Sequence, residues 1–299
     1  MLINLFLESF SSHNPANLEG IRIVMDIFRK NIPNVAVFDT AFHSTMPRHV
    51  YTYPLPREYA QHRIRKYGFH GTSVKYVSQF AIQKLKSMRK GCDRLIVAHL
   101  GNGASVSAVV NGRSVDTSME FTPLSGIMMG TRSGSVDPSI VLYASNQMGK
   151  TPAQVLDDLN NKSGMLGVSR GDSDLRNVIK RSSKGDQDAQ LAIEMYVHIL
   201  AKSIAGLIVS CGGTIDAIIF TAGIGENSPL IRKLTIEKMS HLLGGLRVDD
   251  ECNESNGKNS QGIISAESNA SPIAMVLQTD EEAMIYRECE RFVDMSSPL

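Results

Sequence analysis

The stretch Leu95 to Met119, LIVAHLGNGASVSAVVNGRSVDTSM, decides the fold. An apolar run, Leu95-Ile96-Val97-Ala98, breaks at Gly101-Asn102-Gly103. A second run, Val106 to Val110, breaks at Asn111-Gly112, and a third ends at Val115. Asn-Gly between apolar runs is a strong hairpin signal, because both turn residues must accept positive φ. The stretch therefore predicts three antiparallel strands with a glycine-rich tip at the first turn. Glycines at such a tip either permit a tight turn or expose backbone N–H groups to a phosphate oxygen. Asn102 and the flanking His99 favour the second use, since a purely structural turn needs neither.

Upstream, Asn14-Pro15 reads as a helix start, and Leu18, Ile21, Met25 and Phe28 put an apolar stripe on that helix. Asn34 to Phe38 (NVAVF) reads as a buried strand delivering Asp39 at its end, either as a site carboxylate or as a turn cap. Gly68-Phe69-His70-Gly71-Thr72 opens a helix capped by Thr72 or Ser73, with Tyr76, Val77, Phe80 and Leu85 inward. His70 at that helix mouth either points at a ligand anion or hydrogen-bonds its own loop.

Downstream, Arg132 sits among small residues in Gly130-Thr131-Arg132-Ser133-Gly134, where its planar fork can meet carboxylate or phosphate. Asp174 lies at a helix boundary, where ordinary N-capping is the alternative to a binding role. Ala189 to Ser210 is the longest helical pattern, apolar on most faces, and predicts a buried central helix. Asp216 to Phe220 is a strand that runs into Thr221-Ala222-Gly223-Ile224-Gly225-Glu226-Asn227 and then a helix. Strand, Gly-x-Gly turn and helix is nucleotide-pocket geometry, weak when it stands alone. Residues 249–271 are polar and read as a surface excursion; Ile273 to Leu277 is a last strand, before a closing helix.

The 299 residues carry a net charge of +1, with no dense basic block, so a nucleic-acid partner is not expected. No apolar stretch approaches the roughly 20 uninterrupted residues of a membrane span, and the acidic start MLINLFLESFSS lacks the signs of a signal peptide. Four scattered cysteines without a CxxC pair suit reduced thiols in a cytoplasm.

VFDTAFH (37–43), YGFHGTS (67–73), HLGNGAS (99–105), VDTSM (115–119), MMGTRSG (128–134), FTAGIGENS (220–228) and TDEE (279–282) occur in this order. Together they closely resemble the acetate kinase family, which includes propionate kinases, within the superfamily of the actin and sugar-kinase fold. The resemblance covers nearly the whole chain from His13. It implies an α/β, actin-like ATPase (ribonuclease H-like) fold of two domains. Here the second domain, 41–279, would be complete. Residues 1–40, with the C-terminal helix 280–299, would be a truncated remnant of the first. It also implies reversible phosphoryl transfer from ATP to acetate, giving acetyl phosphate and ADP. A propionate or butyrate kinase, or a nucleotide-binding remnant without turnover, are the alternatives. ATP or ADP with Mg²⁺ (or Mn²⁺), a small carboxylate substrate, a cytoplasmic location, and a homodimer if the fold is intact go with it.

By motif position, Asp39 resembles the cleft aspartate, and His70 and Arg132 the pair that stabilises the transferring phosphoryl group. His99, Leu100, Gly101, Asn102 and Gly103 resemble the phosphate-binding hairpin. Asp174, Leu175 and Arg176 match a nucleotide-binding Asp-Phe-Arg, with Leu175 in place of Phe. Gly223, Ile224, Gly225, Glu226 and Asn227 resemble the second nucleotide loop, Glu281 the Mg²⁺-associated glutamate, and Phe69 and Pro123 the acyl pocket. The acceptor carboxylate is already an anion, so Asp39 is better assigned to orienting arginine or metal than to removing a proton. The chain departs from the family at Glu120, Val74 and Ser12, where glycine, histidine and an apolar residue are usual. Residues 1–12 also lack the motifs of the segment that opens other members.

Overall fold

A five-stranded mixed sheet is built around the decisive stretch, in a computed structural model that describes residues 14–28, 34–266 and 272–296. Strands β1 (Arg94–Leu100), β2 (Ala104–Val110) and β3 (Arg113–Thr117) form the expected antiparallel meander. Asn111 and Gly112 both have positive φ, 51° and 73°, as the tight turn between β2 and β3 requires. Strands β4 (Ala217–Thr221) and β5 (Ile273–Val276) add in parallel on the other side of β1, giving the order β3-β2-β1-β4-β5.

Side chains alternate along a strand, so both faces of β1 must be covered for its apolar run to be buried. Ile96, Ala98 and Leu100 face one core, which contains Ile218, Phe220 and the inward side of the helix Gln187–Ser210. Leu95 and Val97 face the other, with Ala217, Ile219, Met275 and the helix Gly71–Ser87. The Gln187–Ser210 helix corrects one sequence expectation. Its 24 residues are long and apolar enough, by composition alone, to cross a membrane. Its buried positions, among them Ala189, Ile193, Tyr196, Leu200 and Ile204, recur at helical spacing and pack into the sheet's core instead.

The chain divides into two compact units, one from Asp39 to Asp280 and the other comprising the segments up to Phe38 and from Glu281 onward. In the second of these, the helix Asn14–Phe28 forms as its periodicity predicts, yet Ile21, Met25 and Phe28 are exposed. Apolar spacing sets the element and not what covers it. Asn34–Phe38 is not the buried strand expected: it joins none of the five strands of the sheet, and Phe38 is 60% exposed. Phe80 likewise faces outward. The 249–271 excursion holds more structure than its composition suggests, with a helix Asp250–Glu254 and buried Asn253 and Ile264.

Candidate active site

The first site element is a turn. Gly68 has φ 78°, and a Cβ there would stand 2.6 Å from Thr117 Cγ2 and 2.8 Å from the His43 ring. His70 follows at φ 57° in the left-handed region, directly before the helix Gly71–Ser87. The orphan N–H groups of that helix mouth turn to one residue. Asp39 Oδ2 accepts His70 N–H at 2.6 Å, Asp39 Oδ1 accepts Thr72 N–H at 3.4 Å, and the Asp39 carbonyl accepts Gly71 N–H at 2.8 Å. The capping alternative thus describes the Asp39 carboxylate, and neither Thr72 nor Ser73 is the cap.

Around the tip between β1 and β2, three groups named from the sequence come together. A Cβ added to Gly103 would lie 3.2 Å from Arg132 Nη1 and 3.5 Å from His70 Nε2. Neither Gly101 nor Gly103 has positive φ, so Gly103 is needed for the space its missing side chain leaves. Gly130 serves the same turn: its N–H donates to the Asn102 carbonyl at 3.0 Å, and a Cβ there would fall 1.9 Å from Asn102 Oδ1. His99 stacks on His70 with ring centroids 4.0 Å apart and planes 18° apart. Burial pushes both imidazoles down, His70 to about 4 and His99 to about 3, so both rings are neutral at pH 7.

Burial also lowers the pKa of Arg132, though an arginine stays charged at any ordinary pH. Its guanidinium donates to the Pro123 carbonyl at 3.2 Å and meets the Met129 sulfur at 3.8 Å. Among the described residues no carboxylate pairs with it. A half-buried cation held by neutral acceptors, beside a side-chain-free turn, has the chemistry to take an anion.

On the far side of the same tip, Gly101 and Asn102 line a cavity of about 810 Å³. Its walls bring in Asp174 with the first helical residues Leu175 and Arg176, and Gly223, Ile224 and Asn227 from a short helix, Ala222–Asn227, that stands where the sequence suggested a glycine turn. Asp174 caps the helix Leu175–Ser182 by accepting Arg176 N–H at 2.9 Å, and its pairing with the Arg176 side chain holds it below the usual carboxylate range. Leu175 is buried, packing its side chain into the core rather than standing clear as a platform.

Other named residues sit apart from the cavity. Gly225 packs against β1, where a Cβ would meet the Ala98 carbonyl at 3.5 Å. Glu226 braces the loop: its Oε1 accepts N–H groups from Ala222 at 2.9 Å and Thr279 at 3.2 Å. Leu100 is fully buried in the core. Phe69 packs on the same core, and its carbonyl faces His43 Nε2 at 2.9 Å. Glu120 accepts the Tyr53 hydroxyl at 3.0 Å, which answers where its extra charge goes. Val74 is core, and Ser12 lies outside the described residues. Glu281 opens the helix Glu281–Ser296, in the other unit from the tip.

The sequence reading missed Arg232. Its side chain is fully buried and donates to the Gly225 carbonyl at 2.9 Å, to Asn253 Oδ1 at 2.8 Å and to Asn256 Oδ1 at 2.7 Å. It ties the second glycine loop to the segment carrying Glu254, another cavity-wall residue. An arginine at helical spacing from Ile236 and Met239 was the available signal.

Residues 3–287 match the model of the acetokinase family. The acetate kinase of Caldanaerobacter subterraneus subsp. tengcongensis is 47% identical over 283 residues, which is 94% of this chain and 69% of that one. Among solved structures, a propionate kinase from Francisella tularensis superposes with a TM-score of 0.83 at 46% identity, covering 92% of this chain and 68% of that one. Porphyromonas gingivalis acetate kinase gives the same TM-score at 38% identity, covering 94% and 69%. The fold is the actin-like ATPase fold that these structures share.

Proposed function

The chain belongs to the acetokinase family, and on that premise we propose that it transfers the γ-phosphoryl group of ATP to acetate, reversibly, giving acetyl phosphate and ADP. The observation that carries this reading is the convergence of the Arg132 guanidinium and His70 Nε2 on Gly103, with no carboxylate to neutralise the arginine among the described residues. Phosphoryl transfer asks for little covalent help; most of the rate comes from alignment and from neutralising charge on the equatorial oxygens. An acetate oxygen forms the new P–O bond while the bond from the γ-phosphorus to the bridging oxygen breaks. ADP leaves with that electron pair. The nucleophile is already an anion, so no base is required. Asp39 therefore serves by fixing the turn that presents His70, not by taking a proton.

The cavity beyond the tip has the size expected of a nucleotide pocket, which in general spans about 300–1,000 Å³. In this reading Asp174, Arg176, Gly223, Ile224 and Asn227 hold the nucleoside, and the tip holds the phosphates. Pro123 and Phe69 border the acyl end, Pro123 by fixing Arg132 through its carbonyl. A divalent cation bound with ATP would neutralise phosphate charge. Among the described residues no three His, Cys, Asp or Glu gather to hold one. The likeness to a propionate kinase makes propionate the second acceptor to test. A reducing cytoplasm suits the four free thiols. A homodimer would cover Ile140, Leu142 and Tyr143, which are exposed on the helix Ser139–Met148.

The test is acyl-hydroxamate formation with ATP and acetate, propionate or butyrate, alongside ADP release. Turnover with acetate highest is the expected result, and no hydroxamate with any of the three acids overturns the reading.

A further inference from the structure

Three of the motifs carry hydroxyls that phosphoryl transfer leaves unused. Ser73 closes YGFHGTS, Ser105 closes HLGNGAS and Thr279 opens TDEE. In the structure they converge on the two stacked histidines. Ser105 Oγ lies 3.0 Å from His70 Nδ1, and Ser73 Oγ lies 2.8 Å from His99 Nδ1. Ser73 Oγ also lies 2.7 Å from Thr279 Oγ1. Both serines are fully buried. With each Nδ1 turned to a serine, each Nε2 is turned to the tip. His70 Nε2 lies 3.5 Å from the place of a Cβ on Gly103, and His99 Nε2 lies 3.9 Å from that of Gly101.

We infer that Ser105, and Ser73 backed by Thr279, are positioning residues that hold both imidazoles as the Nε2–H tautomer, so that two neutral N–H donors face the phosphate-binding tip. A neutral imidazole donates from one nitrogen and accepts at the other. A phosphate oxygen at the tip accepts from an Nε2–H and repels a bare Nε2 lone pair. Each Nδ1 must then accept, and the serine hydroxyl is the group placed to donate to it. For His99 the line runs from the Thr279 hydroxyl to Ser73 Oγ, and from the Ser73 hydroxyl to Nδ1, with every proton used. Burial opposes charge on either ring and stacking at 4.0 Å opposes it on both at once, which keeps each to a single N–H. The inference rests on reading the tip as a phosphate site, but the tautomers themselves are observable without turnover.

Nitrogen-15 NMR of the full chain labelled at histidine separates Nε2–H from Nδ1–H rings, with His70→Gln and His99→Gln assigning the signals. The expected result is Nε2–H for both. Ser105→Ala then mixes the tautomers of His70 alone, and Ser73→Ala those of His99 alone. Thr279→Val, at the half-exposed end of the line, shifts His99 part of the way even if a buried serine variant fails to fold. The serine variants lower kcat by about tenfold, less than the loss of a whole charge-stabilising donor, with the KM for acetate unmoved; Ser105→Thr restores the tautomer. Nδ1–H rings in the unaltered chain, or folded variants whose tautomers do not move, overturn the inference. Kinase turnover with unmoved tautomers overturns it alone, whereas tautomers that move in a chain without turnover overturn the phosphoryl-transfer reading instead.

Discussion

The Asp39 carboxylate accepts the backbone N–H of His70 at 2.6 Å, which fixes a left-handed histidine at the mouth of a helix. A non-glycine residue at positive φ is held there by its surroundings, and here one acid accepts its backbone N–H. Replacing Asp39 with Ala removes the cap and costs about 1–2 kcal/mol of stability, the usual range for a lost N-cap. His70 is displaced with it, so kcat falls as well. Asp39→Asn keeps an acceptor oxygen and retains most of both. Urea unfolding and steady-state kinetics on the two variants check this. Equal kcat losses in Asn and Ala variants would show that the negative charge matters, not the cap.

Gly103→Ala places a methyl 3.2 Å from Arg132 Nη1 and 3.5 Å from His70 Nε2, in the space assigned to a phosphate oxygen. Its φ is not positive, so the backbone tolerates the change. Activity should drop by about 10²-fold, the scale of losing one charge-stabilising contact, while the melting temperature stays within a few degrees. An alanine variant with unaltered kcat and KM for ATP would remove the tip from the site.

The buried histidines make stability fall on the acid side. Burial depresses the pKa of His70 to about 4 and of His99 to about 3 from 6.5, and lowers that of His43 too. Between 6.5 and these values the unfolded chain binds protons that the folded chain refuses, so stability rises with pH across this window. Each such group contributes up to about 1.4 kcal/mol per pH unit. Urea unfolding at pH 7.5 and 5.5 should show the lower stability at 5.5. Equal stability at the two values would mean that the rings charge freely in the fold.

Arg232→Met leaves the Gly225 carbonyl and the Asn253 and Asn256 side-chain oxygens without their donor. Several buried acceptors lost together should cost about 3–5 kcal/mol, with Arg232→Lys intermediate because an ammonium cannot reproduce the planar fork. In the Lys variant the KM for ATP should rise more than the KM for acetate, since Gly225 shares a short helix with the cavity-wall residues Gly223, Ile224 and Asn227, which the proposal gives to the nucleoside. Equal rises in both would assign Arg232 to the fold alone.

Much of this was legible in the residues. The Asn111-Gly112 turn, the three-strand meander and both halves of the parallel extension follow from periodicity and turn chemistry, because both act over a few residues. The grouping of His70, Arg132 and Gly103 was legible only through motif resemblance, as these lie on separate elements and no local rule joins them. What failed depended on distant partners. Asn34–Phe38 has the composition of a strand, but pairing is a property of a neighbour. Asp39 offered two readings whose choice rests on His70, 31 residues away. Arg232 is polar in sequence and buried in the fold because Asn253 and Asn256 supply acceptors that spacing does not reveal.

The central claim is that the Arg132 guanidinium, which pairs with no carboxylate among the described residues, neutralises a migrating phosphoryl group. It is tested most directly by kcat for acetyl phosphate formation in Arg132→Ala, with and without added guanidinium ion. Loss of about 10²–10³-fold, with the ADP-induced thermal shift retained and partial rescue by guanidinium, is the expected result. Turnover within a few-fold of the unaltered chain would contradict it.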